Sequence, residues 1–274
     1  MAGSQSSGTQ VRAQREGAVL TVTLSGPQSR NAMGPDVYEA VQAHLVEAGA
    51  GGDLRAVVLT GEGGFFSSGG HVAALRESAH GTLAEATTKT DRLNAMVRAI
   101  LECPIPVVAA VEGGAAGAAV AAVLACDLIV AAEGARFSIA HVRVGLSPDG
   151  GLTHLLRAAL PRQFVMELCL LGTPVAAERL AAAGVVNALV PPGAALAWAQ
   201  ERAQRLADGP PEAMACIKRL ITGAPEAAFA THQEAEARAI NRARFRPEAA
   251  EGLTAFLEKR APRFHTTPTG RTPA

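Results

Sequence analysis

The sequence is poor in aromatic residues and has no net charge. Phe, Trp and Tyr make up 4% of the 274 residues, whereas 49% are apolar, so the core is expected to consist of Ala, Val and Leu. Lys and Arg number 25, against 25 Asp and Glu. Because no basic stripe with interleaved aromatics is present either, we exclude a general binder of nucleic acid.

Cysteine pairs and long apolar runs are also missing. The four cysteines form no CxxC pair, and no His or Cys spacing is typical of a metal site, so we predict reduced thiols and no metal. Residues 1–10 lack the apolar segment of a signal peptide. The apolar run at 113–126 is shorter than the roughly 20 residues that a membrane span needs. We therefore expect a cytoplasmic protein that does not use a membrane.

Strand and helix patterns alternate in the first half of the chain, and helical patterns dominate the second half. Strands are predicted at 18–25, 56–60, 107–111, 128–132, 136–139 and 185–190. Helices are predicted at 35–48, 82–101, 194–208, 211–221, 225–244 and 247–260, and a further helix of small residues follows 112–114 and ends at 126. These patterns predict an α/β core at 11–193, a C-terminal helical region at 194–262, and flexible tails at 1–10 and 263–274.

Two loops of Gly and other small residues each follow an apolar strand. Residues 67–70 read SSGG, and residues 113–118 read GGAAGA. Such loops leave backbone N–H groups unpaired in front of a helix. If the two loops face each other, they form an oxyanion hole that stabilises an enolate. The alternative is a pair of ordinary tight turns.

Two better-known motifs are incomplete here. Glu112 occupies the first glycine position of a GxGxxG pattern, so the second loop is not a dinucleotide site. Residues 145–149 begin like the nucleophile elbow of a hydrolase, but Asp149 replaces the final glycine and Pro148 does not fit the turn. We therefore predict neither a dinucleotide enzyme nor a serine hydrolase.

Several segments in order resemble one known family. They are residues 25–33, 66–70, 110–128, 137, 145–151 and 255–260. Over residues 18–264 the chain resembles the enoyl-CoA hydratase/isomerase, or crotonase, superfamily. The resemblance implies a crotonase-type ββα spiral core and a C-terminal helical trimerisation region, in a homotrimer or hexamer. It also implies an acyl thioester of coenzyme A or of an acyl carrier as substrate, with no cofactor beyond its coenzyme A or phosphopantetheine moiety.

The resemblance assigns roles to backbone groups in the two loops. The N–H groups of Gly70 and Ala118 would donate hydrogen bonds to the thioester oxygen. The backbone around Ser68 would contact the adenine of coenzyme A. Because only backbone atoms act at position 118, alanine is acceptable where the family usually has glycine.

Further cofactor contacts are implied near both ends of the chain. Phe256 and Lys259 would reach the adenine or phosphate end of coenzyme A from a neighbouring subunit, although Lys259 also fits a solvated surface charge. Arg30 is a further candidate for the phosphates. These roles follow from the resemblance alone.

The sequence departs from the family where its hydratases carry two glutamates. The matching positions hold Ala121 and His141. Adding water to a double bond requires one group that activates water and another that protonates the α-carbon. Because alanine can do neither, hydration by the two-glutamate route is disfavoured.

Asp149 and His141 remain as candidate acid/base residues. Isomerase-like members of the family have an acid at the position of Asp149, and one carboxylate beside an oxyanion hole suffices for a 1,3-proton shift. Asp149 also fits a helix N-cap. The imidazole of His141 could serve as an acid or a base, although a packed histidine is the alternative. His71, where the family usually has Asp, ranks third.

These features predict an enzyme that isomerises a double bond of an acyl thioester, with Asp149 as the proton carrier. The alternatives are hydration, dehydration or decarboxylation with His141, or a non-catalytic member that only binds acyl-CoA.

Overall fold

The computed structural model describes most of the chain. It covers residues 8–78, 80–209, 211–222, 233–234, 237–238, 240–242 and 244–262. The predicted C-terminal tail, residues 1–7 of the N-terminal tail and most of the predicted helix at 225–244 lie outside these residues. Gln10, which was assigned to the N-terminal tail, begins the first strand.

A main sheet and a small sheet organise the core. In spatial order, the main sheet contains β1 (Gln10–Glu16), β2 (Val19–Ser25), β3 (Ala56–Gly61), β4 (Val107–Val111), β6 (Leu128–Ala132) and β9 (Ala188–Val190). β1 is antiparallel to β2, and all other neighbours are parallel. The small sheet contains β5 (Gly114–Ala116), β7 (Arg136–Ser138) and β8 (Val175–Ala176). The predicted α/β core is confirmed.

Helices cover both faces of the main sheet and form the C-terminal region. They are α1 (Pro35–Gly49), α2 (Val72–Ser78), α3 (Leu83–Glu102), α4 (Ala118–Ala125), α5 (Leu152–Ala159), α6 (Arg162–Leu171), α7 (Ala177–Ala182), α8 (Ala195–Ala207), α9 (Pro211–Thr222) and α10 (Pro247–Leu257). Residues 240–242, between α9 and α10, are also helical. A capping box between Thr82 and Glu85 starts α3.

The central strands are apolar throughout because both of their faces are buried. Along β4, Val107, Ala109 and Val111 face the cluster that includes α1, α3 and α4. Val108 and Ala110 face the opposite way, toward α8. The buried side chains of that helix are all alanines, namely Ala195, Ala199 and Ala203, and Trp198 and Leu206 pack partly buried beside them. The scarcity of aromatics is thus matched by close packing of Ala and Val.

The structure adds elements that the sequence patterns did not predict. Two of these, β1 and α2, have seven residues each, and β5 and β8 are very short. α5, α6 and α7 lie in the second half, where helical patterns dominate. Almost every residue of β1 is exposed, so it lacks the apolar alternation of a half-buried strand. Across the described part of the chain, no helix combines the length and the apolarity that crossing a bilayer requires.

Candidate active site

A cavity of about 600 Å³ lies between the two small-residue loops and the C-terminal helices. Seven of the eight residues assigned to the site from sequence line it, and Lys259 does not. The seven are Arg30, Ser68, Gly70, Ala118, His141, Asp149 and Phe256. Residues that are up to 226 positions apart, from Arg30 to Phe256, therefore meet in one place.

The first loop is fixed by a fully buried asparagine. The side-chain oxygen of Asn31 accepts a hydrogen bond from the Gly26 N–H at 2.8 Å. Its amide nitrogen donates to the carbonyls of Glu62, at 2.8 Å, and Phe65, at 2.7 Å. The Ser67 hydroxyl donates in turn to the Asn31 carbonyl at 2.7 Å. Asn31 thus holds the loop in front of Ser68 and Gly70.

The second loop packs directly on the first. The Ala116 N–H donates to the Ser67 carbonyl at 3.0 Å, and Ser67 and Ala115 form an isolated parallel bridge. Gly69 has a φ of +80°, and a β-carbon there would overlap the carbonyl oxygen of Ala116. Glycine is therefore required for the two loops to meet.

Two backbone N–H donors belong to residues that line the cavity and have no acceptor among the described residues. The Gly69 carbonyl accepts from Met33 N–H and the Met33 carbonyl accepts from His71 N–H, and no residue in the described ranges accepts from the Gly70 N–H between them. Ala118 is the first residue of α4, so its N–H has no intrahelical acceptor. This arrangement can hold an oxyanion.

Asp149 and His141 form a close pair at the cavity wall. Asp149 is 7% exposed, and its Oδ1 lies 3.6 Å from His141 Nε2. This distance is too long for a strong hydrogen bond but short enough for electrostatic attraction. The imidazole ring lies beside Gly117, and its buried Nδ1 has no hydrogen-bond partner among the described residues. The pair can exchange a proton with a ligand in the cavity.

The alternative assignment of Asp149 as a helix N-cap is wrong. Gly151 is the N-cap of α5, and no side chain accepts a hydrogen bond there. Gly150 and Gly151 both have positive φ values and lengthen the turn, so the Asp149 carboxylate is displaced from the helix start. Only the Asp149 carbonyl bonds to the helix, accepting from the Leu152 N–H at 3.2 Å. The carboxylate remains available to the cavity.

Ala121 is packed out of the cavity. It is fully buried in α4 and is absent from the cavity lining. Its β-carbon lies 3.4 Å from where a β-carbon on Gly150 would stand, and Leu93 closes the other side at 3.2 Å from that point. A methyl group thus occupies the position where the family resemblance implies a glutamate.

The described lining of the cavity is strongly cationic. Five Arg or Lys side chains line it, namely Arg30, Lys89, Arg136, Arg143 and Arg244, and Asp149 is the single acid among the described lining residues. The guanidinium carbon of Arg30 lies 5.5 Å from the centre of the Phe65 ring, so a cation–π contact orients it. Such a lining attracts a polyanionic ligand.

Two lining residues near Asp149 were not identified from the sequence. Tyr38 comes from α1, and burial together with the charge of Asp149 raises the pKa of its phenol, which therefore stays neutral. Arg244 comes from the C-terminal region, and burial lowers the pKa of its guanidinium while Asp149 opposes that shift. Arg244 is one of several arginines in 238–246, so no local signal distinguished it.

The remaining candidates occupy the edge of the site. The resemblance implied that Phe256 comes from a neighbouring subunit, but its ring lines the cavity of its own chain and is 57% exposed. Lys259, with a φ of +54° just after α10, is exposed and outside the cavity. His71 lines the cavity, and its Nδ1 accepts from the Ala74 N–H at 3.4 Å.

Comparison with known proteins gives the family. The sequence model of the enoyl-CoA hydratase/isomerase family matches residues 14–267. The chain belongs to this family. A probable enoyl-CoA hydratase of Rhodobacter capsulatus is 34% identical over 90% of this chain and 94% of its own. A 1,2-epoxyphenylacetyl-CoA isomerase of Escherichia coli is 31% identical over 91% of this chain and 95% of its own.

Solved structures of enoyl-CoA hydratase/isomerase family members have the same fold. An enoyl-CoA hydratase from Mycobacterium avium subsp. paratuberculosis aligns with a TM-score of 0.84 and 31% identity, over 93% of this chain and 98% of that one. The predicted crotonase-type fold is therefore confirmed. Because hydratases and an isomerase are both among the similar proteins, membership alone does not select the reaction.

Proposed function

We propose that this enzyme moves a double bond within an acyl-CoA thioester by proton transfer through an enolate, with Asp149 as the proton carrier. The observation that carries the proposal is the position of Asp149. It is the one acid among the described lining residues, and it shares the cavity with the free N–H groups of Gly70 and Ala118. Four of the lining cations, Arg30, Lys89, Arg136 and Arg143, suit the phosphates of coenzyme A.

The proposed reaction needs one carboxylate and two backbone donors. With a 3-enoyl ester, Asp149 removes a proton from C2, and the electron pair moves onto the thioester oxygen. The N–H groups of Gly70 and Ala118 stabilise that negative charge. The carboxyl group then returns the proton to C4, which leaves the double bond between C2 and C3. Atoms and charge balance without water, a redox partner or a second acid.

Hydration or dehydration is the second candidate, and the position of His141 favours it. His141 Nε2 lies 3.6 Å from Asp149, so the imidazole could activate water while Asp149 handles the proton at the α-carbon. Loss of carbon dioxide is a further variant, since decarboxylation itself generates the enolate. Ala121, which is buried and packed beside Gly150, supports isomerisation over the two-glutamate route.

The test is mass spectrometry of 2-enoyl- and 3-enoyl-CoA esters of several chain lengths, incubated with the protein in D2O. Interconversion of the two isomers with deuterium gain supports the proposal. A mass gain of one water indicates hydration instead. If no ester reacts while the same esters raise the melting temperature, the chain is a binding protein or acts on carrier-bound substrates.

Replacement of Asp149 tests directly whether this residue carries the proton. Asp149→Asn removes the base and keeps the shape, so we expect kcat to fall by about 10²- to 10⁴-fold. The melting-temperature shift with acyl-CoA should persist, because the Gly70 and Ala118 donors are untouched. Asp53→Asn, at an exposed site paired with Arg15, is the matched control. Full activity of Asp149→Asn would refute the proposal, and a larger loss in His141→Gln would favour hydration.

A further inference from the structure

Arg244 is a buried cation whose hydrogen-bonding capacity is largely unused. The residue is 4% exposed and lines the cavity. Its Nη1 donates to the Ala86 carbonyl at 3.3 Å, and its Nη2 has no acceptor among the described residues. Its Nε also lacks a partner there but is itself fully buried, so Nη2 is the donor that can face the cavity. Arg244 also forms no ion pair with any carboxylate of the described residues. The guanidinium therefore retains donors for a ligand.

The surrounding contacts hold this side chain against the cavity. The Thr90 hydroxyl bonds to Asn241 Oδ1 at 3.0 Å, and Asn241 Nδ2 donates to the Thr87 hydroxyl at 3.1 Å. These bonds tie the helical segment that precedes Arg244 to α3. On the other side of that segment, Ile240 packs with Leu146. Arg244 is thus fixed beside an apolar wall of the cavity.

A buried charge without a counter-ion is unfavourable, and burial accordingly lowers the pKa of Arg244. Asp149 is the nearby acid that opposes this shift, but no ion pair joins it to Arg244, and the nearer ionisable side chain is that of His141 at 3.6 Å. In the proposed reaction Asp149 also becomes neutral once it holds the substrate proton, so it does not neutralise Arg244 throughout. A planar carboxylate is the anion that a guanidinium fork binds best.

We propose that Arg244 binds a carboxylate on the acyl group, so that the substrate is a coenzyme A monothioester of a dicarboxylic acid. The inference rests on the proposed function for the position of the thioester at Gly70 and Ala118. Arg244 and Asp149 line the same cavity, and Ile240 and Leu146, which lie close to them in sequence, pack together, so the second carboxylate belongs a short distance from the reacting carbons. The substrate class is therefore a short-chain diacid.

The test measures binding, so it does not depend on turnover. Isothermal titration compares saturated diacid esters (glutaryl-, adipyl- and pimelyl-CoA) with the neutral esters of equal length (pentanoyl-, hexanoyl- and heptanoyl-CoA). At one length or more we expect the diacid ester to bind at least about tenfold more tightly, which is typical for a hydrogen-bonded charge pair. Equal affinities at every length would overturn the inference.

Two variants identify the residue responsible. Arg244→Met keeps the apolar stem and should reduce the affinity ratio to about one, whereas Arg242→Met, at an exposed position two residues earlier, should keep it. A ratio that survives Arg244→Met overturns the inference. So does weaker binding of free coenzyme A to that variant, since the bound anion would then be a phosphate.

The outcomes also separate this inference from the proposed function. A diacid preference that depends on Arg244, without isomerisation of any enoyl ester, would support the carboxylate site and refute the proton shift. Isomerisation of neutral esters without a diacid preference would support the proton shift and refute the carboxylate site.

Discussion

Two buried cations, Lys218 and Arg244, have opposite surroundings. Lys218 Nζ donates to Asp127 Oδ2 at 2.7 Å and to the carbonyls of Ile100, at 3.1 Å, and Ile105, at 3.3 Å. All three of its protons are thus used. Arg244 has one carbonyl acceptor and a buried Nε that no described residue satisfies. A complete set of partners marks Lys218 as structural, and an incomplete set marks Arg244 as a site for a ligand.

The positions of the two cations agree with this difference. Lys218 lies on α9 and joins it to the core through Asp127, whose Oδ2 also accepts from the Val107 N–H at 2.7 Å. It is not among the residues that line the cavity, whereas Arg244 is. The buried charge of Lys218 therefore holds α9 on the core, whereas the buried charge of Arg244 is assigned to ligand binding.

The largest stability effect is expected from removing the satisfied cation. Lys218→Met removes the counter-ion of Asp127, whose side chain is 25% exposed, so we expect the free energy of unfolding to fall by about 2 kcal/mol, between the values for a buried pair and a surface pair. Urea denaturation measures the change. A loss below about 1 kcal/mol would show that the pair is only a surface ion pair.

The same variant should show a distinctive pH dependence. Burial raises the pKa of Asp127, and Lys218 opposes that rise. Without Lys218 the pKa of Asp127 rises further, so the folded state binds this proton more tightly than the unfolded state does. The free energy of unfolding of the variant then falls as the pH rises through the pKa of Asp127 in the folded state. The difference in stability between the variant and the unmodified protein shrinks as the pH falls toward about 4. A deficit that is equal at pH 5 and pH 8 would contradict this account.

Removing the unsatisfied cation should have a smaller effect of the opposite sign. Without ligand, Arg244→Met removes an uncompensated buried charge, so we expect a gain of about 1 kcal/mol in the free energy of unfolding. The Ala86 carbonyl lies within α3 and keeps its intrahelical N–H donor. Urea denaturation of the ligand-free protein tests this, and a clear loss of stability would place Arg244 with Lys218 as a structural cation.

The smallest effect on stability is expected from removing an exposed cation. Arg205 pairs with Glu201 one turn earlier on α8 at 2.7 Å, and its side chain is 65% exposed. Solvent screens such a pair, so Arg205→Gln should change the free energy of unfolding by no more than about 0.5 kcal/mol. Thermal melts at low and high salt measure it. A larger change that does not depend on salt would show that paired cations stabilise this protein equally whether they are buried or exposed.

Elements with local signals were predictable from the sequence. Continuous apolar runs identified β4 and β6 with their observed boundaries, because strands buried on both faces need no alternation. β1 was not predicted because it has almost no buried side chain and is stabilised by its pairing with β2. Its strand character depends on tertiary context rather than on composition.

In the site, too, residues with a local sequence signal were predicted and residues that depend on tertiary packing were not. The loops around Gly70 and Ala118 were identified because their small residues are a local feature. Arg244 was missed because its burial depends on how the C-terminal segment packs on α3, and neighbouring arginines such as Arg242 have the same local pattern. Asn31 appeared only within a motif, since its bonds to Glu62 and Phe65 join segments more than 30 residues apart.

The closeness of Ala121 to the Gly150 turn has a consequence for redesign of this site. Ala121 is fully buried in α4, and its β-carbon, like the side chain of Leu93, lies within 3.4 Å of the point where a β-carbon on Gly150 would stand. A glutamate at 121 would place a carboxylate in this buried corner, next to the turn that carries Asp149, and an ionised group buried without a partner is costly. Introducing a second acid at 121 is therefore expected to require changes among its neighbours as well.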